Sequence, residues 1–283
     1  MSTIDATLCG AVRGAGDALT LTLDPAFQGL PETAHGGSVL GLFDLLAARR
    51  GARMLRGRYL RRVPLALPLA LTLTRDARTL GCRVTEPGGA ALVEGQVTDS
   101  GPDAPATSGR GGLAPASDPG PLPVSLTCFA CGIDNPHGLG AQLTADAGAV
   151  TGVWTPRRDF RGDDGRLSTV ALTTLLDEAA FWLGALASGE SGMTTELTVT
   201  LHGDATADGD VHICGERALA RARADDPRYW DTQVGAFDAT GRALASAAIT
   251  FVAVRGAARR LVTGMLAINP PDVVRRAFPA YCV

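Results

Sequence analysis

Ala34-His35-Gly36-Gly37-Ser38-Val39-Leu40-Gly41-Leu42-Phe43-Asp44 decides the reading of this chain. A histidine and two glycines open an apolar, helix-like run, and a carboxylate follows seven residues after Gly37. A second run, Ser168-Thr169-Val170-Ala171-Leu172-Thr173-Thr174-Leu175-Leu176-Asp177-Glu178, keeps the carboxylate and lacks the glycines. Asp44 and Asp177 lie 133 residues apart (177 minus 44), close to half the chain. The two runs therefore read as corresponding helices of a duplicated unit. Two related halves that differ at the chemically useful positions point to one working site shared between them.

Around each helix the same order of elements repeats. In the first half, Leu19-Thr20-Leu21-Thr22-Leu23 alternates as a half-buried strand does. A helix over residues 36–50 follows, then strands at 69–74, 79–85 and 90–97. In the second half a strand at 149–154 precedes a helix at 168–187, with strands at 196–202, 211–221, 230–237 and 243–254. The pattern predicts a unit of strand, long buried helix and antiparallel meander, made twice. Both helices are apolar nearly all round, so each is expected to be wrapped by its sheet. The expected divisions are 1–99 for the first unit, 100–124 for a Pro/Gly-rich linker, 125–254 for the second unit, and 255–283 for a C-terminal tail.

Composition narrows the function classes. The chain has 283 residues, is 46% hydrophobic and carries a net charge of −3, which gives no general attraction to nucleic acid. It lacks an unbroken apolar run of eighteen residues, so a membrane span is not expected. With Asp5 early and no basic start before an apolar stretch, its opening does not read as a signal peptide. Six cysteines in a chain this long make no dense disulfide framework, and a reducing cytoplasm is the expected setting. All 26 basic residues are arginine. Arg49, Arg50, Arg53, Arg56, Arg58, Arg61 and Arg62 crowd one stretch, which reads either as a solvated helix end and loop or as a rim for phosphate.

The glycine–carboxylate pair carries the chemistry. A helix N-terminus offers unpaired N–H groups and a partial positive charge, and glycine there lets a ligand approach the backbone closely. Gly36 and Gly37 could thus stabilise a carbonyl oxygen that becomes negative during attack, which describes acyl transfer. Asp44 stands about 10.5 Å further along its own helix, too far to act on that carbonyl. An antiparallel second helix would supply the missing carboxylate, so Gly36 and Gly37 should face Asp177, and Asp44 should face Ser168-Thr169-Val170.

These residues resemble hotdog-fold acyl-CoA thioesterases of the phenylacetic acid degradation type. The likeness rests on His35-Gly36-Gly37 and its helix, on Leu175-Leu176-Asp177-Glu178-Ala179, on Cys128-Phe129-Ala130-Cys131-Gly132-Ile133-Asp134-Asn135-Pro136-His137-Gly138-Leu139, and on Thr194-Thr195-Glu196-Leu197-Thr198-Val199. It spans about residues 15–98 and 126–254. The resemblance implies an α+β tandem double hotdog, with antiparallel sheets each wrapping a long central helix. It implies hydrolysis of an acyl-CoA or acyl-carrier-protein thioester without a cofactor. Asp177 would be the base or nucleophile, Gly36 and Gly37 the oxyanion site, His35 the shaper of the turn and Thr194 the orienter of water. Asp44 would serve a second site that has lost its glycines. Glu178, Asn135, Phe43, Arg58, Arg61 and Arg62 are the substrate-binding candidates, the arginines for CoA phosphates. A homodimer of double hotdogs is one expected assembly.

Cys128 and Cys131 form a lone C-x-x-C. No second ligand pair lies nearby in sequence, so a metal is not expected, and buried thiols at a tight turn are the default. Two rival functions remain open: a hotdog enzyme of a biosynthetic pathway that performs dehydration, cyclisation or other proton abstraction, and a non-catalytic acyl-binding protein.

Overall fold

The structure, a computed structural model, describes residues 3–100 and 119–282. The first half contributes α1 (Ile4–Gly10), β1 (Val12–Ala15), β2 (Ala18–Leu21), α2 (Gly36–Ala47), β3 (Arg53–Tyr59), β4 (Leu69–Arg75), β5 (Thr79–Thr85) and β6 (Ala91–Asp99). The second contributes β7 (Gly120–Pro121), β8 (Leu143–Ala145), β9 (Ala149–Trp154), α3 (Thr169–Ser188), β10 (Gly192–Leu201), β11 (Val211–Glu216), β12 (Arg221–Ala222), β13 (Tyr229–Phe237) and β14 (Ala243–Ala253). Helices α4 (Ala257–Leu266) and α5 (Pro271–Ala277) close the chain.

All strands pair antiparallel in one sheet of order β1-β2-β4-β5-β6-β3-β10-β14-β13-β11-β9-β8-β7, with β12 beside β13. The two sheets, each expected to wrap one helix, are thus joined into one. The join is β3 against β10, in register from Glu196 opposite Arg58 to Leu201 opposite Arg53. Strand β3 is missing from the sequence-based list because its arginines read as a solvated loop. Its inward positions are Arg53, Leu55 and Gly57, all buried, which is the period-2 pattern of a strand. One arginine of the cluster therefore faces the core.

The sheet wraps both central helices. Among the residues of α2, Gly37 through Asp44 are all buried. Helix α3 has the length and apolarity to cross a membrane, and 83% of its most apolar stretch lies inside the protein, so its burial accounts for its composition. His35 stands at the N-cap position of α2, Ser168 caps α3, and the Gly189 backbone in the left-handed region ends α3. The helices cross antiparallel and touch through backbone. A Cβ on Gly37 would lie 2.5 Å from Thr173 O and Thr174 Cα, and one on Gly41 would lie 2.8 Å from Val170 Cα. Gly37 and Gly41 are four residues apart on one face, so their missing side chains form the slot that admits α3.

The stretch read as a linker holds β7 at its end, and its residues 101–118 lie outside the described residues. The tail read without a role is two helices pinned to the body. Asn269 bonds both ways to Val124 (2.8 and 2.9 Å), and Phe278 packs on Trp182 with ring centroids 6.0 Å apart.

Candidate active site

Close helix crossing brings Asp177 of α3 to the N-terminus of α2. The Gly37 N–H donates to Asp177 Oδ2 at 2.8 Å, and the Thr194 hydroxyl donates to Asp177 Oδ1 at 2.6 Å. Thr194 reaches the carboxylate through a bulge. Thr194 stands opposite Phe251 and Glu196 opposite Thr250, so Thr195 is the extra residue and the strand bends beside the site. Asp177 Oδ1 keeps a further lone pair.

His35 bridges two carboxylates. Its Nδ1 lies 3.2 Å from Asp177 Oδ2 and its Nε2 lies 3.5 Å from Glu178 Oε2. Burial alone would lower the pKa of this imidazole, but the neighbouring Glu178 and Asp177 carboxylates outweigh it and raise it to about 9. The Gly37 N–H also lies 3.2 Å from His35 Nδ1. A protonated Nδ1 has no lone pair to offer, so the shorter bond to Asp177 is the one that holds. Trp182 Nε1 donates to Glu178 Oε1 at 3.0 Å and fixes the second carboxylate. The Tyr59 hydroxyl, from the joining strand β3, donates to Gly36 O at 2.6 Å and braces the turn. Burial, with the Asp177 charge, pushes that phenol well above its usual pKa. The Gly36 N–H has no acceptor among the described residues.

These groups line a cavity of about 450 Å³, within the 300–1,000 Å³ usual for small-molecule sites. Both halves build it. The loop before α2, His35, Gly36, Tyr59, Arg61 and Arg62 come from the first half; Cys128, Cys131, Asp177, Glu178, Trp182 and Thr194 come from the second. Helix α4 and the turn after it supply a further wall, through Arg260, Leu261, Met265 and Ile268. The cysteine segment sits over the α2 entrance because it is bonded there. Phe129 N donates to Gln28 O at 2.6 Å, and the Phe129 ring lies 4.9 Å from that of Phe27. The Cys131 thiol's hydrogen bond brings Cys128 below the usual thiol pKa against the opposing effect of burial, and Cys131 itself is raised.

Four sequence-based candidates stand elsewhere. Asn135 is buried and donates to Ala26 O and Thr127 O, so it staples the cysteine segment and does not line the cavity. The Phe43 ring is fully buried over Gly95, on the sheet side of α2. Arg58 lies on β3 opposite Glu196, and its outward position on the strand keeps it off the cavity wall. Asp44 is locked to Arg53, whose Nε and Nη2 reach its two oxygens at 2.6 and 2.7 Å. Arg53 also bonds Thr169 Oγ1 at 3.1 Å, so Thr169, one of the three residues expected to face Asp44, meets it through a guanidinium.

Arg53 explains why the halves differ. Seventeen residues separate Asp177 from Thr194 and nine separate Asp44 from Arg53. The difference of eight equals the extra length of α3, 20 residues against 12 for α2. Arg53 thus occupies the position on β3 that Thr194 occupies on β10. A hydroxyl beside the carboxylate that faces the cavity is replaced by a cation that neutralises the other.

Gly37→Ala tests the slot. The added Cβ meets backbone, which cannot rotate away, so the helices must separate. The expected cost is about 1–3 kcal/mol of stability with loss of the Gly37–Asp177 bond. Denaturant unfolding together with an activity assay checks this, and an unchanged midpoint would remove the slot from the account.

Against known proteins, no family model matches the chain, and no curated protein matches it. Solved structures do. A conserved protein of unknown function with a hot dog fold from Alicyclobacillus acidocaldarius is 12% identical, with a TM-score of 0.54 over 88% of this chain and 97% of that one. The chain has the double hotdog fold. An acyl-CoA thioesterase II from Mycobacterium marinum is 14% identical (TM-score 0.55; 86% of this chain, 95% of that one). An N-terminal dehydratase from the difficidin assembly line is 12% identical (TM-score 0.57; 88% and 96%). At such identities the likeness speaks for the double hotdog architecture, and the site residues must speak for the chemistry.

Proposed function

We propose that this double hotdog hydrolyses an acyl thioester at the single composite site between its halves. The observation that carries the reading is the Asp177 carboxylate held against the N-terminus of α2, on the wall of the cavity, beside the unpaired Gly36 N–H. A thioester carbonyl placed over that N-terminus presents its carbon to a water on Asp177. Asp177 takes a proton from the water as its oxygen bonds to the carbon, and the oxyanion forms beside the Gly36 N–H. The C–S bond then breaks, and the leaving thiolate receives the proton from Asp177. Thr194 keeps the carboxylate oriented. Arg61, Arg62 and Arg260 line the same cavity and suit the phosphates of CoA or of a carrier-protein arm. The thioesterase among the similar folds supports the choice of thioester.

A second reading is dehydration of a 3-hydroxyacyl thioester, favoured by the contact of His35 with Asp177 and by the dehydratase among the similar folds. Abstraction of an α-proton needs a free base. His35, raised to about 9, carries its proton at neutral pH and is not that base. The test is a panel of acyl-CoAs and 3-hydroxyacyl-CoAs scored for thiol release and for enoyl absorbance. Thiol release is the expected result. Enoyl formation without thiol would move the assignment to dehydration, and binding without either product would leave an acyl-binding protein.

A further inference from the structure

Beside the catalytic carboxylate, His35, Cys128 and Glu178 bring a ring nitrogen, Sγ and a carboxylate oxygen within 4.8 Å of one another. The three residues are each at most 6% exposed. Their separation is unusual for the bonds they would otherwise make. Nε2 of His35 and Oε2 of Glu178 stand 3.5 Å apart, whereas a charge-assisted hydrogen bond closes to about 2.7–2.9 Å. Two ligands of one tetrahedral zinc, with Zn–N and Zn–O bonds of about 2.0–2.2 Å, stand about 3.3–3.6 Å apart. Cys131 lines the same cavity wall as Cys128.

The surroundings are those of ligands already aimed. The Ala130 N–H points at Cys128 Sγ (3.3 Å), a bond that supports a thiolate. Gly132 closes the turn with its N–H on Cys128 O at 2.9 Å, and a Cβ there would lie 2.3 Å from that oxygen, so the turn admits only glycine. Trp182 takes Glu178 Oε1 and leaves Oε2 for the cluster. Asp177 takes His35 Nδ1 and leaves Nε2. A carboxylate behind the far nitrogen of a histidine is the usual outer-shell support of a metal-bound imidazole.

We infer that His35, Cys128 and Glu178 form a three-ligand zinc site, its fourth position open to the cavity, that ties the cysteine segment of the second half to the α2 entrance of the first. The sequence argument against a metal looked for a second ligand pair near Cys128 and Cys131. The fold supplies the other two donors from far along the chain in both directions. Zinc binding displaces the proton on His35 Nε2 and that of the Cys128 thiol, so it releases protons as it proceeds. The inference does not depend on which thioester, if any, the cavity takes.

The test is metal content and cobalt substitution of the full chain. Protein purified without chelators, from zinc-supplemented cells, should carry about one equivalent of zinc. After chelator treatment and confirmation of the fold by circular dichroism, Co²⁺ should produce thiolate-to-cobalt charge-transfer absorption and tetrahedral visible bands, both reversed by Zn²⁺. Cys128→Ser should weaken Co²⁺ binding by more than the 10–100-fold expected for the outer-shell change Asp177→Asn. Folded wild-type protein that carries no zinc and gives no cobalt–thiolate band overturns the inference, as does a folded Cys128→Ser that binds Co²⁺ as tightly as wild type.

Discussion

Asp177→Asn is expected to lower thioester hydrolysis by about 10²–10⁴-fold, the range that a positioned general base contributes. The amide is nearly isosteric, so the cavity keeps its shape. Its oxygen can still accept from Gly37 N–H or from Thr194, but the group no longer takes a proton from water. His35 loses one of its two anionic neighbours in the same change. The loss should appear in kcat, with substrate affinity nearly kept, because the removed interaction acts on the attacking water and not on the bound acyl chain. Steady-state thiol release on protein shown to be folded measures this. A variant that retains most of its turnover would take Asp177 out of the proposed chemistry.

Asp44→Ala is expected to act on stability more than on turnover. Asp44 and Arg53 form a two-bond ion pair with both side chains at most 5% exposed. Removal of the carboxylate leaves a buried guanidinium with Asp204 at 3.2 Å as its remaining anionic partner. Breaking one partner of a buried pair costs about 3–5 kcal/mol, and Asp204 should hold the loss near the lower end. Replacing both partners, as Asp44→Leu with Arg53→Met, should recover much of it, since apolar groups of similar size remove the uncompensated charge. Urea unfolding of the single and double variants reads both effects. If instead the folded Asp44→Ala protein loses hydrolysis while its unfolding midpoint stays in place, Asp44 serves a second site and Arg53 does not silence it.

Much of this was legible in the sequence wherever a local pattern carried it. The duplicated helices and most strands follow from periodicity and spacing. The pairing of Gly37 with Asp177 followed from the rise of a helix, which places Asp44 out of reach of its own glycines. Strand β3 was hidden because Arg53, Arg56 and Arg58 look like a solvated surface, and only the tertiary partner Asp44 makes Arg53 an interior residue. Phe43 and Asn135 could not be placed because apolar and amide side chains on a buried segment serve packing as readily as a ligand. Tyr59 and the α4 wall carried no motif. They join the cavity through long-range pairing of β3 with β10 and through docking of the C-terminal helices, which no short window of sequence records. The same holds for the neighbours of Cys128 and Cys131.

The central claim is that two halves make one working site, with the other carboxylate neutralised. Isothermal titration with a non-hydrolysable thioether analogue of an acyl-CoA tests it most directly. One equivalent bound per chain is the predicted result; two equivalents, or none, would contradict it.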